Sequence, residues 1–79
     1  MGKKLIQLPY LSPRKKAKII SLEGGQVFQK KLRVMGIREG AIITIISKQP
    51  FRGPITVKIR DYQITLGRGM TNKIFVEEL

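Results

Sequence analysis

The order of apolar and polar positions divides the chain into short elements of changing period. "AKIISL", residues 17–22, is rich in β-branched types and ends at Gly24-Gly25, which predicts a first strand. In "GQVFQKKLRVMG" the period lengthens. Phe28, Leu32 and Met35 fall at i, i+4 and i+7, Val27 and Val34 flank the same side, and Gln29, Lys30 and Arg33 face away. That spacing predicts an amphipathic helix of about ten residues. Gly36 stands where a left-handed residue ends a helix, and Ile37 is placed to fold back onto Leu32. Arg38-Glu39-Gly40 then reads as a tight turn into "AIITIISK". Both faces of that segment are apolar, with Ile43 and Ile45 on one and Ile42 and Ile46 on the other. The expectation is a strand covered on both sides, or one lining a small barrel.

"QPFRGP" is a loop bounded by proline and glycine, with Phe51 and Arg52 at its tip. In "ITVKIR" Ile55, Val57 and Ile59 alternate inward against Thr56, Lys58 and Arg60. Asp61-Tyr62 connects to "QITL", with Ile64 and Leu66 inward. "GRGMTN" is a turn, and "KIFVEEL" closes with Ile74 and Val76 inward. Upstream of the first strand, Pro9 and Pro13 break any long helix, and Leu5, Ile6, Leu8 and Leu11 pin the segment to the body through a turn. Residues 1–7 are a candidate flexible basic tail of a single domain spanning 1–79. Five short strands with hairpin-length connections, and one helix after the first strand, bury both faces best by curling into a barrel.

Composition narrows the function classes. With 42% apolar residues the chain can build a core. It has no cysteine and no histidine, so it lacks disulfides and the two commonest transition-metal ligands. This fits a cytoplasmic protein. The basic start does not read as a secretory signal, and Ala41 to Ile46 is far short of the roughly 20 residues of a membrane helix. Sixteen Lys and Arg against five acids give a net charge of +11, which attracts any polyanion. Beyond a merely solvated surface, the alternatives are nucleic acid, anionic lipid headgroups and an acidic protein face. A solvated surface or an acidic protein face is favoured over nucleic acid.

No catalytic constellation emerges. Ser12, Ser21 and Ser47 have no histidine to activate them, and Glu77 and Glu78 point to opposite faces of a strand. An oxygen-only metal site works against the +11 charge, and neither metal nor cofactor is expected. "GRG" at 67–69 and "GIREG" at 36–40 lack the spacing of a phosphate loop and read as turns requiring positive φ at Gly36, Gly40 and Gly67. For nucleic acid, Lys58, Arg60, Arg68 and Lys73 supply charge, while only Tyr10, Phe51 and Tyr62 remain as candidate stacking platforms.

Taken together, "LRVMGIREG", "QPFRGPITVKI" and "ITLGRGMTNKIFVE" resemble the FeoA family, the small cytoplasmic component of bacterial ferrous iron uptake. Leu8 and Leu11 match the opening pair, Lys31-Leu32 the basic-Leu step, and Gly36-Ile37 with Gly40 the central turn. Pro50 and Pro54 bracket the hairpin, and Leu66, Gly67, Arg68, Ile74 and Val76 fit the closing motif. Arg14, Asp61 and Thr71 depart from the pattern, standing where glycine, glycine and alanine are usual.

The resemblance implies an SH3-like barrel and a role as accessory to FeoB, a membrane transporter with a cytosolic GTPase domain. The expected function is a non-catalytic adaptor docking on the cytosolic part of FeoB, at the membrane only through that partner. Candidate partner-binding residues are Arg38 and Glu39 on the short turn, Phe51 and Arg52 at the hairpin tip, and Lys31, Arg33 and Arg68. The rivals are a basic nucleic-acid-binding barrel and a stand-alone regulatory domain related to the end of metal-dependent repressors.

Overall fold

The computed structural model describes residues 4–79. In chain order the elements are β1 (Leu5–Gln7), a 3₁₀ turn (Leu8–Tyr10), β2 (Lys16–Leu22), α1 (Gln26–Val34), β3 (Ile42–Lys48), β4 (Ile55–Ile59), β5 (Tyr62–Leu66), α2 (Arg68–Thr71) and β6 (Ile74–Glu78). All six strands belong to one antiparallel sheet in the order β1-β6-β2-β3-β4-β5.

Every strand from β2 to β6 sends alternate side chains into one apolar cluster. It includes Ala17, Ile19, Ile43, Ile45, Ile55, Val57, Leu66, Ile74 and Val76, joined by Leu8, Leu11, Leu32 and Ile37. A flat sheet of this many strands would be roughly 25 Å across and could not place all its inner residues in a single cluster, so the sheet wraps around its core.

Two β-bulges make that wrapping compatible with the sequence. Between Ile19 and Ser21 the register of β2 against β6 shifts, as does that of β3 against β4 between Ile45 and Ser47. An extra residue reverses the inward–outward alternation beyond it. Leu22 therefore points into the core three residues after Ile19, and Ile20 is left on the surface. In β3 the extra residue is Ile46. Beyond it the Lys48 stem is half-buried, and its Nζ donates to the Pro9 carbonyl at 2.6 Å.

Helix α1 ends as its sequence requires. The Ile37 amide donates to the Leu32 carbonyl at 2.9 Å and the Gly36 amide to Arg33 at 3.0 Å, with Gly36 at φ +89°. This paired arrangement satisfies carbonyls the helix leaves free, and it buries Ile37 completely.

Four expectations need correction. Leu5–Gln7 is a sixth strand paired with β6, not tail; Met1 to Lys3 lie outside the described residues. Hydrogen bonding does not close the sheet into a barrel, since β1 and β5 are its two edges. Ile42 and Ile46 are exposed, so β3 is buried on one face only. Val27 and Val34 are 85% and 80% exposed and do not flank Phe28, Leu32 and Met35 on the inner side of α1. The physical reason is angular. Val27, Lys31 and Val34 form their own i, i+4, i+7 stripe, displaced by about 100° from the buried one.

Candidate functional site

Two surfaces, one at each end of the β3–β4 hairpin, gather all the candidate residues but Lys31. A seven-residue strand such as β3 spans about 20 Å, which separates them.

The first lies where α1 ends. Arg33 on the last turn of α1 reaches Glu39 on the following turn, with Nη2 to Oε2 at 3.0 Å, and also donates to Gln29 Oε1 at 3.2 Å. That turn is closed by the Ala41 amide donating to the Arg38 carbonyl at 3.1 Å, with Gly40 at φ +91° supplying the left-handed position. Tyr62, at the start of β5, donates its hydroxyl to the Met35 carbonyl. A side chain at Gly36 would collide with that hydroxyl, so Gly36 serves both the backbone turn and the seating of Tyr62. The Arg33 hydrogen bond holds the Glu39 carboxyl below its usual range. The small stabilisation from this exposed pair is therefore present at neutral pH and lost as the pH falls through the lowered value.

The resulting concavity is lined by Arg33, Val34, Arg38, Ile42, Arg60 and Tyr62, among others. Its apolar part is the exposed set Val34, Ile42 and Tyr62. Around it stand three arginines and the single acid Glu39; Arg33 is paired with Glu39, which leaves Arg38 and Arg60 as the excess positive charge. Such a face suits an acidic surface that carries an apolar anchor.

The second surface is the hairpin tip. The Gly53 amide donates to the Pro50 carbonyl at 3.1 Å across a turn in which Phe51 (φ +58°) and Arg52 (φ +60°) are both left-handed. Asn-Gly is the usual pair there, and each ordinary side chain costs about 1 kcal/mol in that conformation. Phe51 gains no packing in return, being 99% exposed. The hairpin is nevertheless held firmly. Arg68 Nε donates to the Gly53 carbonyl at 3.2 Å and its Nη2 to Gln49 at 3.3 Å. Tyr10, 73% exposed, lines a shallow concavity with Arg52 and Arg68. Lys48 sits behind them with its pKa lowered, by burial first and then by Arg68.

The structure thus brings Arg33, Arg38 and Glu39 together, and separately Phe51, Arg52 and Arg68. Lys31 joins neither group; it is exposed on the outer face of α1 between Val27 and Val34. Gly36 and Gly40 have the positive φ expected of them. Gly67 does not: it precedes α2 at φ −63°, where its carbonyl accepts from the Met70 and Thr71 amides. Sequence reasoning offered Tyr62 only as a stacking ring and missed Val34 and Ile42 as surface-forming residues. The signal available for Val34 was its place on the Val27–Lys31–Val34 stripe. No signal existed for the seating of Tyr62 on Met35, 27 residues away. Among the described residues no group of three His, Cys, Asp or Glu side chains could hold a metal ion, and no helix is long and apolar enough to cross a membrane.

Fold and surfaces together define a small, mainly antiparallel SH3-like domain with two cationic faces. The chain belongs to the FeoA family: the FeoA domain model matches residues 6–78. A curated relative from Porphyromonas gingivalis (strain ATCC BAA-308 / W83), the Fe(2+) transport protein A/Fe(2+) transporter FeoB fusion protein, is 36% identical over 72 residues. The match takes in 91% of this chain but only 8% of that protein's length. The solution structure of a FeoA-like protein from Clostridium acetobutylicum superposes with a TM-score of 0.85 at 32% identity, covering 100% of this chain and 91% of that one. A manganese-dependent transcriptional repressor shares the fold at a TM-score of 0.88 and 18% identity, over 100% of this chain and 44% of that chain.

Proposed function

We propose that this chain is a non-catalytic accessory protein of ferrous iron uptake that docks on the cytosolic part of a FeoB-type transporter. The observation that carries the reading is the relative in which a similar segment and an Fe(2+) transporter FeoB are one polypeptide. Fusion makes permanent an association that separate chains must achieve through an interface. The α1–β3–β5 concavity is the docking face. Val34, Ile42 and Tyr62 provide the apolar centre, and Arg38 and Arg60 steer it to an acidic partner.

The test is calorimetric titration of the protein into the purified soluble cytosolic part of the transporter from the same genome. Saturable binding that survives moderate salt is expected, with Val34→Asp and Arg38→Glu each weakening it by about ten-fold or more. Binding indifferent to both substitutions would remove this face from the reading. No binding at all, with capture of RNA or DNA whose affinity falls steeply with salt, would replace it by the nucleic-acid alternative.

A further inference from the structure

The hairpin tip has features that the docking face does not explain. Phe51 occupies a left-handed position, touches no core residue and is almost wholly in water, while Arg68 fixes the hairpin backbone behind it. A rigid turn holding a bare aromatic ring outward serves insertion into something apolar. Cations surround it. Arg52 follows in the turn, and Arg68 and Lys48 stand at its base. Tyr10, a ring with a polar tip, lies beside Arg52. No Asp or Glu occurs in residues 48–54, 9–10 or 68–72, so this end of the molecule is uniformly positive.

We propose that the 49–54 hairpin tip is a membrane-surface anchor, with Phe51 entering the interface of an anionic bilayer while Arg52 faces the headgroups and Arg68 and Lys48 add positive potential from the base of the hairpin. An apolar ring among cations matches a surface that is apolar inside and negative at its rim. Tyr10 belongs at headgroup depth, where amphipathic rings gather. An acidic protein fits less well: the tip is a lone projecting ring, and the apolar concavity that would hold a protein's anchor lies at the other end of β3. The inference rests on the docking reading only in placing the chain beside a transporter's membrane. The two surfaces would then let one small domain touch the lipid with one end and the partner with the other.

The vesicle measurements need no transporter. The chain contains no tryptophan, so Phe51→Trp makes a sole reporter at the tip. It is mixed with vesicles of phosphatidylcholine alone, or with added phosphatidylglycerol, and followed by emission and by quenching from brominated acyl chains. Flotation with the unmodified chain measures binding. Binding to the anionic vesicles only, with a blue shift and acyl-chain quenching, is expected. Phe51→Asn keeps a residue suited to the left-handed turn, and it should reduce binding about ten-fold, as expected for withholding one aromatic ring. Anionic-vesicle binding that Phe51→Asn leaves unchanged, without quenching, would mean charge attraction alone and overturn the proposal. So would absence of binding to the anionic vesicles; Phe51→Asn weakening titration into the transporter's soluble part, or single-stranded RNA quenching the Trp reporter, would then name the occupant instead. Loss of binding by Val34→Asp in the titration, with vesicle binding intact, separates the fate of the docking face from that of the tip.

Discussion

Gly36 carries two constraints at once, and they can be separated by mutation. Its φ of +89° disfavours any side chain by about 1 to 2 kcal/mol, and a Cβ would also displace the Tyr62 hydroxyl from the Met35 carbonyl. Losing that hydrogen bond adds about 1 kcal/mol. Gly36→Ala should therefore lower the stability read from urea unfolding by about 2 to 3 kcal/mol. In a Tyr62→Phe background the same change should cost less, because the colliding oxygen is gone; additive effects would disprove the coupling. Phe51 and Arg52 show the opposite case, residues that cost stability where they stand. Replacing them by Asn-Gly should raise unfolding stability by about 1 kcal/mol, while removing the ring on which the membrane anchor depends.

At the scale of elements, β1 is the least obvious piece and has the clearest consequence. Three residues long, it covers one side of β6, pairing Leu5 with Glu77, Ile6 with Val76 and Gln7 with Phe75. Removing residues 1–7 would leave β6 as an open edge. It should lower the thermal midpoint and promote pairing between copies, visible as a concentration-dependent mass in light scattering. An unchanged midpoint and a clean monomer would show that β1 contributes nothing to the edge. The lesson for reading the chain is physical. Leu5–Gln7 is too short to display a period, so its strand character comes only from the partner it meets. Helix α1 is legible because its period and terminating glycine lie within one window, although that window holds two stripes and spacing alone does not say that the valine stripe faces outward. Arg14 is a third instance. Standing where the resemblance leads one to expect glycine, it takes φ +70°, and its amide donates to the Ile45 carbonyl at 2.8 Å. The site demands the conformation even without the favoured residue.

For the whole molecule the dominant quantity is +11. Among the described residues one ion pair, Arg33 with Glu39 at 3.0 Å, is formed, so most of the positive charge is unpaired. Self-repulsion of that size destabilises a compact state and is screened over about 10 Å at 0.1 M salt. Raising sodium chloride from low concentration to about 0.15 M should thus raise the thermal midpoint by a few degrees. Over the same range electrostatic attachment to anionic vesicles should weaken. Opposite responses of fold and attachment to salt distinguish unpaired surface charge from charge committed inside the structure. A midpoint that fell with salt would show that attractive pairs prevail.

The sequence alone determined the features whose causes are local. The order of β2, α1 and β3 to β6, the alternating core of β4 and β6, the helix stop at Gly36-Ile37 and the hairpin loop around Phe51 all follow from neighbours within a few residues. Long-range features needed the tertiary structure. The sheet order, which sets β6 between β1 and β2, depends on partners more than fifty residues apart. The bulges that bring Leu22 and the Lys48 stem inward arise from pairing register, which an isolated strand does not possess. The separation of Arg38 from Arg52 onto opposite ends was likewise decided by the β3–β4 hairpin, because strand length becomes distance only once the strands are paired.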